Sequence, residues 1–218
     1  MPEATLLITS KNYSSWSLRG FLLARLSGLT FEEISVDPND PATKAELLLQ
    51  SSSIRVPCLV HDGIQVWDTL AIAEYLNELR PAAHMPPRDR AARARCRAIA
   101  GEMHSGFSAL RASLPMNLHA FRPGFVIWSA ARADIERIVE IWRECLERWK
   151  GPWLFGAHAS IADAMYAPVV TRLLTYDVQL DAPCAAYCAH IMAWPDMVEW
   201  VAAAQQEPEE IEELEVEF

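Results

Sequence analysis

Three short stretches hold residue types that could do chemistry together. The first, Ser14-Ser15-Trp16-Ser17-Leu18-Arg19, follows a short apolar run and opens a helical pattern. Hydroxyls and free backbone N–H groups at a helix N-terminus suit an anion such as a thiolate. The same hydroxyls also serve as helix caps, and the stretch alone leaves both readings open. The second stretch is Val56-Pro57. Proline cannot donate to a ladder, so Val56 keeps its backbone groups free to pair with something extended. The third is Asp68-Thr69, ahead of Leu70, Ile72, Ala73, Leu76 and Leu79 at helical spacing. Asp and Thr are good N-cap residues, so a helix with a free carboxylate at its start is expected there. A strand edge beside such a helix start suits a small peptide carrying both amine and carboxylate charges.

The elements that must position these residues follow from periodicity. Ala4 to Thr9 reads as a buried strand, and Leu18, Phe21, Leu22 and Leu26 as a helix stopped by Gly28. Phe31 to Val36 alternates like a strand, Asp37 to Pro41 is a turn, and Ala42 to Leu49 a short helix. Asp62-Gly63 between the apolar runs Cys58–Val60 and Ile64–Trp67 is a hairpin signal. Residues 1–80 therefore form a βαβαββα unit. A proline-rich linker, 81–88, marks the domain boundary. Residues 89–218 read as all-helical, with helices expected from Arg88 through Arg111, Ser129 to Trp149, Ser160 to Leu174, and after Pro195. Ser160-Ile161-Ala162-Asp163 is a reciprocal capping arrangement at a buried helix start, a folding element rather than a catalyst.

Composition bounds the partners. The 218 residues carry a net charge of −10, which argues against nucleic acid or an anionic membrane surface. Part of the excess is the run from Glu207 to Phe218, with seven glutamates and no base, expected as a solvated terminus. No stretch is long and apolar enough for a membrane helix, and Met1-Pro2-Glu3 lacks a basic signal region. The five cysteines show no Cys-x-x-Cys pair and cannot all pair with one another, which favours a reducing cytoplasm. Cys184 and Cys188, four apart, read as packing residues, and no metal site is expected. Glycine-rich phosphate loops, H-E-x-x-H and G-x-S-x-G are all lacking.

These features in this order resemble the cytosolic glutathione transferases, over essentially the whole chain. The resemblance is to bacterial, serine-type members with a zeta- or tau-like N-terminal motif. It rests on Ser14-Ser15-x-Ser17-x-Arg19, Val56-Pro57, Asp68-Thr69 leading into Leu70 to Leu76, and the Ser160–Asp163 box. The implied fold is a thioredoxin-like α/β domain followed by an all-α domain. In serine-type classes the catalytic hydroxyl lies five residues before an arginine that precedes the helix-ending glycine by nine. Arg19 and Gly28 keep that spacing and select Ser14, with Ser15 as the fallback. Cysteine-type members use a thiol at this place, whereas the first cysteine here is Cys58.

The resemblance implies further roles. Val56, before a proline kept cis, would exchange backbone hydrogen bonds with the cysteinyl part of glutathione, the co-substrate. Asp68 would take the γ-glutamyl amine and Thr69 the α-carboxylate. Lys44 and Arg55 stand where tau-like members carry lysines near the glycyl carboxylate, or are solvated surface charges. Met103, His104, Phe107 and Arg111 recur at helical spacing where the family builds its electrophile pocket, though Met and Phe at this spacing also suit a core. His104 and Arg111 make an acidic or carboxylated electrophile conceivable. The implied activity is attack of a glutathione thiolate on a small electrophile, by a homodimer. A maleylacetoacetate-type isomerase and a non-catalytic interaction module are the alternatives. Against the isomerase, the class-defining cysteine beside the serines is Trp16 here. Asp68-Thr69 also replaces the commoner Glu-Ser or Gln-Ser, and Ser51-Ser52-Ser53 replaces an Asn-Pro pair.

Overall fold

The computed structural model describes residues 2–36 and 56–207. The expected turn at Asp37–Pro41, the helix Ala42–Leu49, Lys44, Ser51–Ser53, Arg55 and the acidic run beyond Glu207 lie outside the described residues.

Strand β1 (Ala4–Ile8) is central in the N-terminal sheet, pairing in parallel with β2 (Phe31–Ser35) and antiparallel with β3 (Cys58–His61). β4 (Ile64–Val66) pairs with β3 and completes the order β2-β1-β3-β4. A parallel neighbour requires a crossover, supplied by helix α1 (Ser15–Ser27). Gly28 ends α1 at φ 73°, a left-handed conformation that costs glycine little. The β3–β4 hairpin turns through Asp62 and Gly63, both at positive φ, as its Asp-Gly pair requires. Helix α2 (Thr69–Leu79) packs beside α1. A short 3₁₀ turn, Pro81–Ala83, leads to the second domain.

That domain comprises α3 (Arg90–Ser105), α4 (Ser108–Ser113), α5 (Ser129–Trp149), α6 (Ile161–Thr175), α7 (Ala182–Met192) and α8 (Pro195–Ala204). Two of these depart from expectation. The single helix expected to reach Arg111 is divided, because Gly106 is extended and Phe107 is left-handed at φ 55°. A Cβ on Gly106 would lie 2.7 Å from the Glu102 carbonyl oxygen, so the break demands glycine there. Helix α7 lies in the region expected to be helical but is not among the helices delimited from the sequence. Its signals are local: Asp181 accepts from the Cys184 N–H at 2.9 Å, and Pro183 sits in the first turn. Cys184 and Cys188 form part of its buried face.

Helix α6 is the pillar of the molecule, buried along almost its whole length. Asp163 in its first turn accepts four hydrogen bonds, from the Ser160 N–H (2.8 Å) and hydroxyl (2.7 Å), the Leu154 N–H (3.0 Å) and the Tyr187 hydroxyl (3.1 Å). Burial raises its pKa, and these donors oppose that rise. A single apolar cluster runs from the sheet (Leu6, Leu59) through α1 (Leu18, Phe21, Leu22) into the helical domain (Met103, Trp142, Met165, Trp200). The two domains thus share one core.

Candidate functional site

The start of α1 separates its serines. Ser14 is the N-cap, partly exposed, and its Oγ accepts from the Ser17 N–H at 3.2 Å while donating to Ser17 Oγ at 2.8 Å. Ser17 is itself tied down, accepting from the Thr9 N–H at 3.0 Å. Ser15 is buried instead. Its hydroxyl accepts from Arg172 Nη2 at 3.1 Å, and its carbonyl accepts from Arg19 Nη1 at 3.2 Å. Of the two candidate serines, Ser14 is partly exposed and Ser15 is buried.

Arg19 and Arg172 make an unusual buried pair. Arg19 Nε donates to the Met165 carbonyl at 2.8 Å, and Arg172 Nη1 to the carbonyls of Leu114 (2.5 Å) and Arg111 (3.3 Å). All these acceptors are neutral oxygens. Burial is the main reason both arginines hold their protons less tightly than usual, Arg172 falling to about 10, and each is also opposed by Arg111. Two guanidiniums paired with dipoles leave a net positive field, and both touch the residue next to Ser14. Sequence reasoning missed Arg172, because only the packing of α6 against α1 brings it to the site.

The second stretch is locked against α1. The Val56–Pro57 peptide is cis, and Pro57 is buried under Gly20. A Cβ on Gly20 would lie 2.5 Å from Pro57 Cβ, so the helix and the Val56–Pro57 turn approach as closely as they do because residue 20 is glycine.

The third stretch caps α2. Asp68 Oδ1 accepts from the Leu70 N–H at 2.9 Å and the Ala71 N–H at 3.4 Å. Its other oxygen, Oδ2, lies 3.0 Å from His104 Nε2 on α3. The carboxylate remains half exposed. Thr69, the first residue of α2, is fully buried, yet its Oγ1 has no hydrogen-bond partner. A helix N-terminus is a place where a hydroxyl without a partner can donate to an anionic group.

Trp16 connects the first stretch to the third by way of His104. Its ring meets that of His104 edge-on at 5.4 Å between centroids, and the guanidinium carbons of Arg19 and Arg111 lie 4.6 and 5.6 Å from its centre. The four expected electrophile-pocket residues therefore divide. His104 and Arg111 are partly exposed and converge on Trp16, whereas Met103 and Phe107 are buried in the shared core.

Comparison with known proteins decides the family. The profile of the glutathione S-transferase N-terminal domain matches residues 13–79, and that of the C-terminal domain matches residues 89–203. The chain belongs to the glutathione S-transferase family. As such it is a glutathione-dependent enzyme, with glutathione as co-substrate. A probable maleylacetoacetate isomerase of Caenorhabditis elegans is 27% identical over 167 residues, covering 76% of this chain and 77% of that protein. The maleylacetoacetate isomerase of Rattus norvegicus is 27% identical over 169 residues, covering 76% of each. A glutathione transferase homologue from Burkholderia GL BGR1, solved with bound glutathione, superposes with a TM-score of 0.72 at 25% identity, covering 95% of this chain and 100% of that one. A diazinon-metabolizing glutathione S-transferase of the silkworm Bombyx mori shares the transferase fold, with a TM-score of 0.73 at 16% identity over 93% of this chain and 98% of its own.

Proposed function

We propose that this family member is a bacterial, serine-type glutathione transferase, in which Ser14 stabilises the glutathione thiolate for attack on a small electrophile. The observation that carries the reading is the contact of Trp16, two residues past Ser14, with His104 on α3, which in turn meets Asp68 at the start of α2. Asp68 takes the γ-glutamyl ammonium, Thr69 its carboxylate through its hydroxyl and N–H, and Val56 the cysteinyl backbone. The sulfur then lies at Ser14. Lowering a thiol from about 8.5 to about 6.5 requires roughly 2.7 kcal/mol. A hydrogen bond to a charged acceptor contributes roughly 1.5–3 kcal/mol and a helix N-terminus roughly 0.3–1. The Arg19–Arg172 field adds to both, so no metal is required.

A second reading is isomerisation of a maleyl-type dienone, supported by the isomerase relatives. Arg111, half open beside Trp16, would receive a substrate carboxylate. Trp16, in place of the cysteine typical of that class, favours conjugation. The five buried free cysteines support a reducing, cytoplasmic setting, and we take the assembly to be the homodimer usual in the family.

Calorimetric titration with reduced glutathione tests the site. The wild type is expected to bind in the micromolar to low-millimolar range. Asp68→Ala is expected to weaken binding about tenfold, since a half-exposed carboxylate holds an ammonium by roughly 1–1.5 kcal/mol. Equal affinity in both proteins would remove Asp68 from the site. No binding by the wild type would turn the reading to a non-catalytic interaction module.

A further inference from the structure

The loop that delivers Ser14, residues 10–14, is held from the far end of the chain. Glu207 lies three residues beyond α8, and its own N–H closes the last turn on the Ala204 carbonyl. Its side chain does no capping there. It crosses to the N-terminal domain, where Oε1 accepts from the Lys11 N–H at 2.7 Å and Oε2 from the Asn12 N–H at 3.0 Å and the Ser10 hydroxyl at 2.7 Å. One carboxylate thus gathers three donors from three successive residues.

Ser10 passes the constraint on. While donating to Glu207, its Oγ accepts from the Tyr13 N–H at 3.2 Å, and its carbonyl accepts from the Ser14 N–H at 3.0 Å. Neighbouring contacts hold the same loop from the same side: Trp200 Nε1 donates to the Lys11 carbonyl at 3.0 Å, and Asn12 Oδ1 accepts from the Leu118 N–H at 2.6 Å. Charge-assisted bonds to backbone N–H groups are among the stronger ones available, and here they fix peptide orientation within four residues of the reacting hydroxyl.

We infer that Glu207 is a positioning residue for Ser14, setting the loop geometry on which thiolate stabilisation depends. The inference rests on the reading of Ser14 given above. The γ-glutamyl end of glutathione is bound elsewhere, at Asp68 and Thr69, so loss of Glu207 separates thiol ionisation from affinity. The first glutamate of the acidic run is therefore part of the site's framework, in contrast to the solvated terminus its composition implies.

The test is the apparent pKa of the glutathione thiol bound to the intact protein, read from thiolate ultraviolet absorbance against pH, with glutathione affinity measured in parallel. In Glu207→Ala the pKa is expected to rise by about one unit, a tenfold loss of thiolate below the pKa, while affinity changes less than about threefold. Glu207→Gln should fall between, because its one carbonyl oxygen can serve either the Lys11 N–H or the Ser10–Asn12 pair but not both. Ser10→Ala, which leaves the carboxylate and both N–H bonds in place, gives the same direction with a smaller shift should the alanine variant fail to fold. A rise in Ser14→Ala with wild-type values in all three variants overturns the role of Glu207 alone. No rise in Ser14→Ala overturns the Ser14 reading itself.

Discussion

The Ser14 hydroxyl has its oxygen fixed by the Ser17 N–H, while its proton is lent to Ser17 Oγ, an acceptor already engaged with Thr9. In the proposed mechanism that proton turns to the incoming sulfur while the Ser17 N–H bond keeps the cap. Ser15 has no such freedom, since Arg172 and burial hold it. The five cysteines are the contrasting case. Burial raises the thiols of Cys96, Cys184 and Cys188 to about 12 and Cys145 to about 11, and raises Cys58 as well. Thiolates are the reactive form, so below about pH 9 the folded protein is expected to consume almost no disulfide reagent, with all five thiols reacting after denaturation. A rapid stoichiometric reaction of one native cysteine would contradict this and reopen thiol-based chemistry.

At the scale of elements, α1 packs closely on the Val56–Pro57 turn. Gly20→Ala is expected to destabilise the fold by about 1–2 kcal/mol, because a methyl 2.5 Å from the Pro57 ring outweighs the roughly 1 kcal/mol helix-propensity gain. A chemical-denaturation midpoint equal to or above the wild type's would show that the turn yields. Much at this scale was legible beforehand, where local chemistry dictates geometry. Asp62-Gly63 makes the hairpin, Gly28 ends α1 and Asp68 caps α2. The break at Gly106–Phe107 escaped because Met103, Phe107 and Leu110 keep helical spacing straight across it. Helix α7 escaped because its Ala- and Cys-rich sequence shows no sharp polar face, although Asp181 and Pro183 marked its start.

At the scale of the molecule, the site is assembled by contacts between residues far apart in sequence. Arg19 reaches α6, Asp68 meets α3, Arg172 meets α1, and Glu207 holds the loop ahead of Ser14. Such pairings leave no periodic signal. The stretches bearing Ser14, Val56 and Asp68 could be read locally, but the buried arginine pair and the Glu207 latch could not. The shared core makes these contacts rigid, and helix α6, pinned by Asp163, carries two of them. The same assembly concentrates positive charge beneath the α1 N-terminus in a chain whose net charge is −10. On the proposed reading, a negative molecule thereby keeps a local site for a thiolate.

The most direct test of the central claim is a pH titration of glutathione bound to the wild type and to Ser14→Ala, following thiolate absorbance. We expect an apparent pKa near 6.5 in the wild type and a rise of roughly 1–2 units in the variant, the equivalent of one lost hydrogen bond to a charged sulfur. A bound thiol that titrates like free glutathione in the wild type, or identically in both proteins, would contradict activation by Ser14.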